Sequence, residues 1–200
     1  MMKKRKKVNH ILLDEIRTTR LLIRPITECD INDIFEMGKN VETCKLLRWG
    51  PYKEKNEATN FVKKQIEEKQ LQFVLVYKNK VIGTFHLFGN KIQNNNEEIA
   101  VSYVLNYDYR GKGFMTEAMN GLFERLFSNY NIDVIYIYFV TENILSENVM
   151  KRLKMKKDMG YEKTGEMKGK EYKYNRYFIT KKMHIENLTG EKNERERNFN

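Results

Sequence analysis

The fold is decided by the segment Tyr103-Val104-Leu105-Asn106-Tyr107-Asp108-Tyr109-Arg110-Gly111-Lys112-Gly113-Phe114-Met115-Thr116-Glu117-Ala118, which joins a predicted strand to the strongest predicted helix. The strand ends near Leu105. From Met115 onward, apolar residues recur at positions 115, 118, 119, 122, 123, 126 and 127, which is the spacing of an amphipathic helix. A short turn with two glycines, Gly111 and Gly113, separates the two elements.

This turn has the features of an anion site. Glycines let backbone N–H groups converge without obstruction by a Cβ atom. The start of the helix adds N–H groups without a partner and a partial positive charge. Together these features favour a pyrophosphate, to which Arg110 and Lys112 add full charges. The alternative is an ordinary glycine turn that caps the helix, but the position between a strand and a strong helix favours the anion site.

The glycine pattern excludes two common phosphate loops. The P-loop sequence G-x-x-x-x-G-K-[ST] is absent from the chain. Thr116 stands where a dinucleotide loop of the type G-x-G-x-x-G needs its third glycine. The turn therefore belongs to neither of these nucleotide-binding classes.

The composition is that of one globular domain with an excess of basic residues. The chain has 200 residues, with 37 Lys and Arg against 27 Asp and Glu, which gives a net charge of +10. Hydrophobic residues make up 40% of the chain, which is long and apolar enough for a sizeable core. The charge favours an anionic partner, such as nucleic acid, a membrane surface or a phosphorylated cofactor.

Cysteine content and hydropathy indicate the cellular compartment to expect for the protein. The two cysteines, Cys29 and Cys44, lack the spacing of metal ligands, so we expect neither a disulfide framework nor a metal site. No stretch approaches the ~18 apolar residues of a membrane span. The basic start MMKKRKK is not followed by a signal-peptide core. We therefore expect a cytoplasmic protein without a membrane partner.

The chain is predicted to hold one domain with two polar ends. Residues 1–17 form a predicted basic arm, 18–184 a single domain and 185–200 a polar tail. Residues 134–140 are apolar on both strand faces, which is typical of a strand in the middle of a sheet. Other strands are predicted at 20–24, 71–77, 81–88 and 97–105, with a closing strand or hairpin at 172–183. Helices are predicted around 31–37, 54–70, 115–127 and 145–157, with a further helical stretch around 41–47.

Three motifs in order resemble one known family. The run Arg110-Gly111-Lys112-Gly113-Phe114-Met115 resembles the [RQ]-x-x-G-x-[GA] pyrophosphate loop of the GNAT superfamily of N-acetyltransferases. Its continuation through Thr116-Glu117-Ala118 looks like the RimJ/RimL-type branch. Thr19-Arg20-Leu21-Leu22-Ile23-Arg24-Pro25 resembles the first strand of that branch, and Asn143-Ile144-Leu145-Ser146 with Val149 resembles its N-x-x-S-x-x-V segment. The resemblance extends from about residue 18 to residue 183.

The resemblance implies an α/β (α+β) fold, with a mixed, splayed sheet of six or seven strands and about four helices. Acetyl-CoA would lie between the strands that end near Leu105 and Val140. The backbone of Val104 and Leu105 would meet the pantetheine arm and the thioester carbonyl. Asn143 would contact the pantetheine or hold the neighbouring loop. The pyrophosphate would lie on the backbone amides of Gly111, Lys112, Gly113, Phe114, Met115 and Thr116.

The acid and the base of the family are both missing from their usual positions. Met150 stands where many members have a tyrosine acid, and Ser146 is the candidate substitute. The alternative for Ser146 is a serine that caps a helix. Ala100 stands where the branch has its glutamate base. Glu98 lies on the same strand face and could act directly or through water, or be an exposed carboxylate at the strand end.

Other residues are candidates for the acceptor groove. His86 lies on a predicted strand among apolar neighbours, where a packed histidine is favoured over a base. Trp49 and Tyr52 could line the groove, although Trp49 could equally be part of the core. Lys154 replaces the glycine of the family sequence K-x-G-[MF], and Gly160 follows six residues later. This departure predicts either a longer helix or a rebuilt turn.

The resemblance predicts an enzyme. It would move an acetyl group from acetyl-CoA, acting as a co-substrate and without a metal, to the primary amine of a protein N-terminus or a small molecule. The alternative is a non-catalytic module that binds CoA or RNA on the same fold. Nucleic acid is the less favoured partner, because no RNA-binding aromatic signature accompanies the basic arm. A homodimer is compatible with the sequence.

Overall fold

The computed structural model describes residues 15–69, 71–89 and 97–198. Most of the predicted basic arm, residues 1–14, therefore lies outside the described residues. Within the described ranges, no helix has the length and apolar character needed to cross a membrane.

A mixed nine-stranded sheet runs through the molecule in the order β1-β2-β3-β4-β5-β6-β9-β7, with β8 paired to β9. All neighbouring strands are antiparallel except β5 and β6, which are parallel. The strands are β1 (Ile16–Arg17), β2 (Leu22–Pro25), β3 (Gln72–Tyr77), β4 (Lys80–Gly89), β5 (Glu97–Leu105), β6 (Ile132–Val140), β7 (Lys156–Lys157), β8 (Lys163–Met167) and β9 (Lys170–Thr180).

Helices cover both faces of the sheet. On one face, α1 and α3 pack against β2, β3 and β4. On the other, the apolar side of α4 forms the larger core together with the end of α5 and the central strands. The described helices are α1 (Ile31–Lys39), α2 (Val41–Cys44), α3 (Lys55–Glu67), α4 (Phe114–Asn129), α5 (Ile144–Arg152) and α6 (Lys181–Asn198). The mixed α/β fold predicted from the sequence is confirmed.

The parallel pair opens at one end. β5 and β6 pair from Glu97 and Ile132 to Val101 and Ile137, with one shift of register after Glu97, and their pairing stops there. Beyond this point β5 remains paired to β4 as far as Leu105, and β6 remains paired to β9 as far as Val140. Each strand therefore follows its outer neighbour, and a gap opens between the two halves of the sheet.

Two elements of the structure, β1 and the later part of α6, lie outside the predicted domain range of 18–184. Ile16, assigned to the arm, is buried in the α4 core as part of β1. Gly121 of α4 allows this approach, because a Cβ there would meet the Thr18 methyl group at 2.9 Å. At the other end, α6 continues through the predicted polar tail. His184 anchors its start, with its ring 5.4 Å from that of Phe127. These two segments, with the four-residue α2 and the two-residue β7, raise the strand and helix counts above those predicted.

The helix α5 is not lengthened, and the turn after it keeps a regular backbone. The helix ends at Arg152, and Lys154 adopts a positive φ of 53°. The N–H of Met155 donates to the carbonyl of Met150, and that of Lys154 to the carbonyl of Lys151. This pair of bonds defines a Schellman motif, whose left-handed position usually carries glycine. Lys154 thus keeps the backbone that the family glycine would provide.

Candidate functional site

A cleft of about 520 Å³ lies at the open end of the β5–β6 pair. Four segments form its walls: the end of β5, the loop and first turn of α4, the start of α5, and α2 with the residues after it. The predicted site residues that line it are Val104, Leu105, Arg110, Gly111, Gly113, Phe114, Met115, Thr116, Asn143 and Ser146. Other lining residues include Thr43, Lys45, Leu46, Tyr103, Glu142 and Arg152.

The glycine loop presents free backbone donors to this cleft. Gly111 and Gly113 adopt positive φ angles of 77° and 76°, and Gly113 is the N-cap of α4. The first hydrogen bond of this turn runs from the N–H of Glu117 to the carbonyl of Gly113. The N–H groups of the three preceding helical residues have no acceptor within the helix. Together with the helix dipole, they form a site suited to a phosphate group.

The backbone of β5 offers a second donor in the gap. The N–H of Asn106 donates to the carbonyl of Ile82 on β4, at 2.8 Å. Successive residues of a strand direct their N–H groups to opposite edges. The N–H of Leu105 therefore points away from β4, toward the gap where β6 has diverged. A ligand in the gap can take the place of the missing strand.

Two buried hydroxyl groups in the cleft wall lack a partner. The oxygens of Tyr103 and Thr116 are inaccessible to solvent and have no hydrogen-bond partner in the described part of the chain. Burial raises the pKa of Tyr103 to about 12, and the neighbouring Ser146 side chain opposes this rise. The two hydroxyls of Tyr103 and Ser146 do not meet the geometry of a hydrogen bond. Since buried polar groups are normally paired, these oxygens fit a ligand with polar atoms.

The glycine loop is held from outside by Arg20. Its guanidinium donates to the carbonyl of Lys112 at 3.1 Å and to the carboxylate of Glu117 at 2.6 Å, and it lies 4.5 Å from the Phe114 ring centre. The hydroxyl of Thr18 and the N–H of Arg20 also donate to Glu117. The first-strand motif and the glycine loop, which resemble the family separately, are therefore in direct contact with each other. Sequence reasoning missed this contact, since the partners lie 97 residues apart.

The two basic residues of the loop have different positions. Arg110 lines the cleft and donates to the carbonyl of Thr43 in α2 at 3.4 Å. Burial lowers the pKa of its guanidinium. Lys112 does not line the cleft: its ammonium group donates to the carbonyl of Asp108 at 2.9 Å and lies over the Tyr109 ring. Only the backbone of Lys112 remains part of the predicted phosphate loop.

The start of α5 carries the predicted residues of the second wall. Asn143 is the N-cap, and its side-chain oxygen accepts a hydrogen bond from the N–H of Ser146 at 3.1 Å. Ser146 is buried and lines the cleft. Met150, one turn further, is fully buried in the α4 core and stands where the family has its tyrosine. The structure thus gives Asn143 a capping role in addition to its position in the cleft.

The two candidate bases lie outside the cleft. Glu98 is near the start of β5, with a carboxylate oxygen 3.5 Å from the Tyr136 hydroxyl. The six residue steps from Glu98 to Val104 correspond to about 20 Å of strand. His86 is half-buried on β4, with its ring 4.0 Å from that of Phe88. Burial lowers the pKa of His86, so its imidazole is neutral near pH 7.

The two aromatic residues predicted for the acceptor groove also lie outside the main cleft. Trp49 and Tyr52 stack with ring centres 5.0 Å apart. Tyr52 packs against Gly38, where a side chain would collide with its ring. It lines a second cleft of about 440 Å³, together with Asn106 and Asp108. Burial raises the pKa of Tyr52 to about 12.

Within the described ranges, no group of three or more His, Cys, Asp and Glu side chains is arranged to hold a metal ion. The donors that line the cleft include backbone amides, hydroxyls, the guanidiniums of Arg110 and Arg152 and the ammonium group of Lys45. These are suited to phosphate and amide groups.

Comparison with known proteins identifies relatives of the same fold. Residues 20–156 match the family model of the acetyltransferase (GNAT) domain. The chain is 27% identical over 157 residues to the uncharacterized N-acetyltransferase YnaD of Bacillus subtilis (strain 168), an alignment that covers 78% of this chain and 91% of the relative.

Two solved structures resemble the whole domain. A RimL ribosomal L7/L12 alpha-N-protein acetyltransferase in complex with coenzyme A superposes with a TM-score of 0.70 at 18% identity, over 84% of this chain and 98% of that one. Spermidine N-acetyltransferase from Vibrio cholerae, in complex with CoA and spermine, superposes with a TM-score of 0.68 at 18% identity, over 84% and 99%. At these identities the likeness shows a common fold.

The family match includes the elements that build the cleft. Residues 20–156 contain β5, the glycine loop, α4 and α5, and they make up more than half of the 200-residue chain. The predicted resemblance is thereby confirmed, and the chain belongs to the GNAT acetyltransferase family.

Proposed function

We propose that the protein transfers the acetyl group of acetyl-CoA to a primary amine, which attacks the thioester directly. The observation that carries this proposal is a single cleft that connects the open end of the β5–β6 pair with the N-terminus of α4. A gap between strands suits the extended pantetheine arm, and the helix start suits the pyrophosphate. The motifs of the chain fit the RimJ/RimL-type branch of the family.

Different residues of the cleft bind different parts of the cofactor. The backbone amides of the loop and of the first turn of α4 hold the pyrophosphate, and Arg110 balances its charge. The N–H of Leu105 faces the gap and pairs with the pantetheine arm, as a strand would, while the backbone polar groups of Val104 point toward β4 and Val104 contributes to the cleft wall. The side-chain amide of Asn143 contacts the same arm from the opposite wall. Thr116 provides a further hydroxyl at the start of the helix.

The reaction needs three groups besides the cofactor. These are a neutral amine, a donor to the oxyanion that forms on the thioester carbonyl, and a group that stabilises the leaving sulfur. We assign the oxyanion donor to the N–H of Leu105, because it points into the gap. Ser146 lies beside the leaving sulfur in this arrangement. Glu98 lies outside the cleft, about 20 Å along β5 from Val104, so neither direct contact nor a bridging water connects it to the reacting groups.

The acceptor is an amine of one of two kinds. The RimL neighbour is a protein N-terminal acetyltransferase, and the Vibrio cholerae neighbour acts on spermidine. We carry both classes over as candidate acceptors. We further propose that the protein works in the cytoplasm, and that a homodimer is its assembly.

The direct test is the release of free thiol from acetyl-CoA with one acceptor at a time. The acceptors are peptides with a free N-terminus, spermidine and an aminoglycoside. We expect thiol release above the background rate with at least one of them. Peptides of the same sequence with an acetylated N-terminus are the control, since they lack the attacking amine.

The same assay also distinguishes an enzyme from the alternative, a non-catalytic binding module. If CoA binds but no amine yields thiol, the protein is a binding module rather than an enzyme. A salt-dependent shift of RNA that is lost when residues 1–10 are deleted would support an RNA-binding module.

The role of Ser146 has its own test. We expect Ser146→Ala to lower the turnover number more than the affinity for acetyl-CoA, because the hydroxyl is placed beside the reacting group. Equal turnover numbers for the variant and the parent protein would remove Ser146 from the mechanism.

A further inference from the structure

Tyr103 carries a buried hydroxyl in the wall of the cleft. Its oxygen is inaccessible to solvent and has no hydrogen-bond partner among the described residues. Burying a hydroxyl without a partner costs free energy, and phenylalanine would fill the same space without this cost. The hydroxyl therefore fits a ligand that brings the missing acceptor into the cleft.

The position of Tyr103 relates this hydroxyl to the reacting end of the cofactor. Tyr103 lies on β5, two residues beyond the last pair with β6, and its side chain packs toward the α4 core. The N–H of Leu105 points into the same gap from two residues further along the strand. Ser146, at the start of α5, is close enough to influence the Tyr103 hydroxyl. The phenol thus lies between the strand gap and α5.

The neighbouring position on α5 supplies no donor. Met150 stands where the family has its tyrosine, and its thioether is buried and lacks a proton to donate. A leaving thiolate in the gap would therefore depend on a donor from β5 or from Ser146. Of these, the Tyr103 oxygen is the one that is buried without a partner.

We propose that the Tyr103 hydroxyl donates a hydrogen bond to the sulfur of CoA and stabilises the departing thiolate, an inference that rests on the proposed acetyl transfer. The amine nitrogen forms a bond to the acetyl carbon, the carbon–sulfur bond breaks, and its electron pair goes to sulfur. The nitrogen loses one proton and the sulfur gains one through solvent. Tyr103 keeps its own proton throughout.

The chemistry of the phenol agrees with a donor rather than a proton-transfer acid. Burial raises the pKa of Tyr103 to about 12, with Ser146 opposing the rise. The usual pKa of a thiol is about 8.5. A proton would therefore remain on Tyr103 in the presence of the thiolate, while the hydrogen bond to the charged sulfur persists.

The test compares the parent protein with Tyr103→Phe, which removes the hydroxyl alone. The thiol of bound CoA is titrated by the ultraviolet absorbance of its thiolate, which requires no acceptor amine. We expect a thiol pKa below that of free CoA in the parent protein and a return toward the free value in the variant. Affinity for desulfo-CoA, which has no thiol, should be the same for both proteins.

Turnover provides the second measurement. We expect the turnover number of Tyr103→Phe to fall about 10- to 100-fold, as for a lost hydrogen bond to a charged group, with little change in the KM for acetyl-CoA. The melting temperature should stay equal or rise, because the variant removes an unpartnered buried hydroxyl. Tyr172→Phe, on β9 and outside the cleft, is the matched control and should change none of these quantities.

The outcomes separate this inference from the proposed function. An unchanged thiol pKa in Tyr103→Phe would overturn the role of Tyr103 even if the enzyme transfers acetyl groups. A shifted thiol pKa without acetyl transfer to any amine would support the contact to sulfur and contradict the proposed function. A loss of melting temperature together with activity would assign Tyr103 a structural role and overturn the inference.

Discussion

The backbone conformation of Gly113 determines where the N–H groups at the start of α4 point. It is the N-cap of α4 at a φ of 76°, in the left-handed region that disfavours any side chain. A Cβ on Gly113 would point toward the Arg20 guanidinium at 3.6 Å, so the space itself is open. The glycine is therefore required by the conformation that directs the helix N–H groups into the cleft.

We expect Gly113→Ala to weaken acetyl-CoA binding at least tenfold and to lower the free energy of unfolding by about 1–2 kcal/mol, the usual cost of a left-handed alanine. Calorimetric titration and chemical denaturation measure the two effects. Gly169→Ala is the matched control, since Gly169 has a φ of 74° and open space in the β8–β9 turn. Its stability should fall by a similar amount at unchanged affinity. Equal affinities in both variants would contradict the loop assignment.

At the scale of the element, α5 ends in a turn that the sequence alone does not predict. Lys154 adopts a left-handed conformation at the position where a Schellman motif prefers glycine. The family pattern places glycine there, and its replacement by lysine left a longer helix and a rebuilt turn equally open. The structure shows that the turn is retained and that the backbone of Lys154 adopts a positive φ.

We expect Lys154→Gly to raise the free energy of unfolding by about 0.5–1 kcal/mol, because glycine removes the strain of a left-handed side chain. Urea denaturation measures this change. Lys154→Ala is the control, since alanine keeps the Cβ atom and should bring no comparable gain. A gain of the same size from alanine would mean that the lysine side chain, rather than its backbone, limits stability.

The elements differ in how far the sequence predicts them. β5 and α4 were expected within a residue or two of their ends, because their apolar periods are long and regular. β1 and β7 have two residues each, which is too short for a period, so they depend on contacts with distant strands. α6 has no apolar stripe that would predict a helix. Its first turn forms because His184 and Met183 pack on the core.

At the scale of the molecule, two partly exposed ion pairs fix the first strands, one to α4 and the other to the residues just before α1. Glu117 accepts hydrogen bonds from Thr18 and Arg20, and Asp30 is paired to both terminal nitrogens of the Arg24 guanidinium. Burial would raise the pKa of Glu117, but the bonds from Thr18 and Arg20 outweigh it and hold the pKa below its usual 4.5. Burial opposes the bonds to Asp30 in the same way, and its pKa is held below 3.8.

These lowered pKa values predict acid sensitivity. A carboxylate with a lowered pKa stabilises the fold above its unfolded pKa, and this contribution is lost as the pH falls through the folded value. We therefore expect the free energy of unfolding to decrease from about pH 4.5 downward. Denaturation curves at a series of pH values measure this. Glu117→Gln should be less stable at pH 7 and depend less on pH. Glu124→Gln, an exposed glutamate of the same helix, should follow the parent protein.

The candidate site was predicted in part. The backbone positions from Val104 to Thr116 and the start of α5 come together in one cleft, because they are local to a strand–loop–helix unit and its neighbour. The direction of the Lys112 side chain, the distance of Glu98 from the gap and the walls supplied by α2 depend on tertiary packing. No local spacing reports these features, so a single sequence left them open.

The divergence of β5 from β6 affects the exchange of amide protons with solvent and makes the melting temperature depend on the cofactor. The amide protons of Tyr103 and Leu105 face a gap instead of a strand carbonyl, so they should exchange with deuterium faster than those of Val104 and Asn106. Acetyl-CoA that bridges the two halves of the sheet should slow this exchange at both positions. Because the cofactor binds only the folded chain, its concentration should also set the melting temperature by mass action. The enzyme would then be most resistant to unfolding when its acetyl donor is abundant.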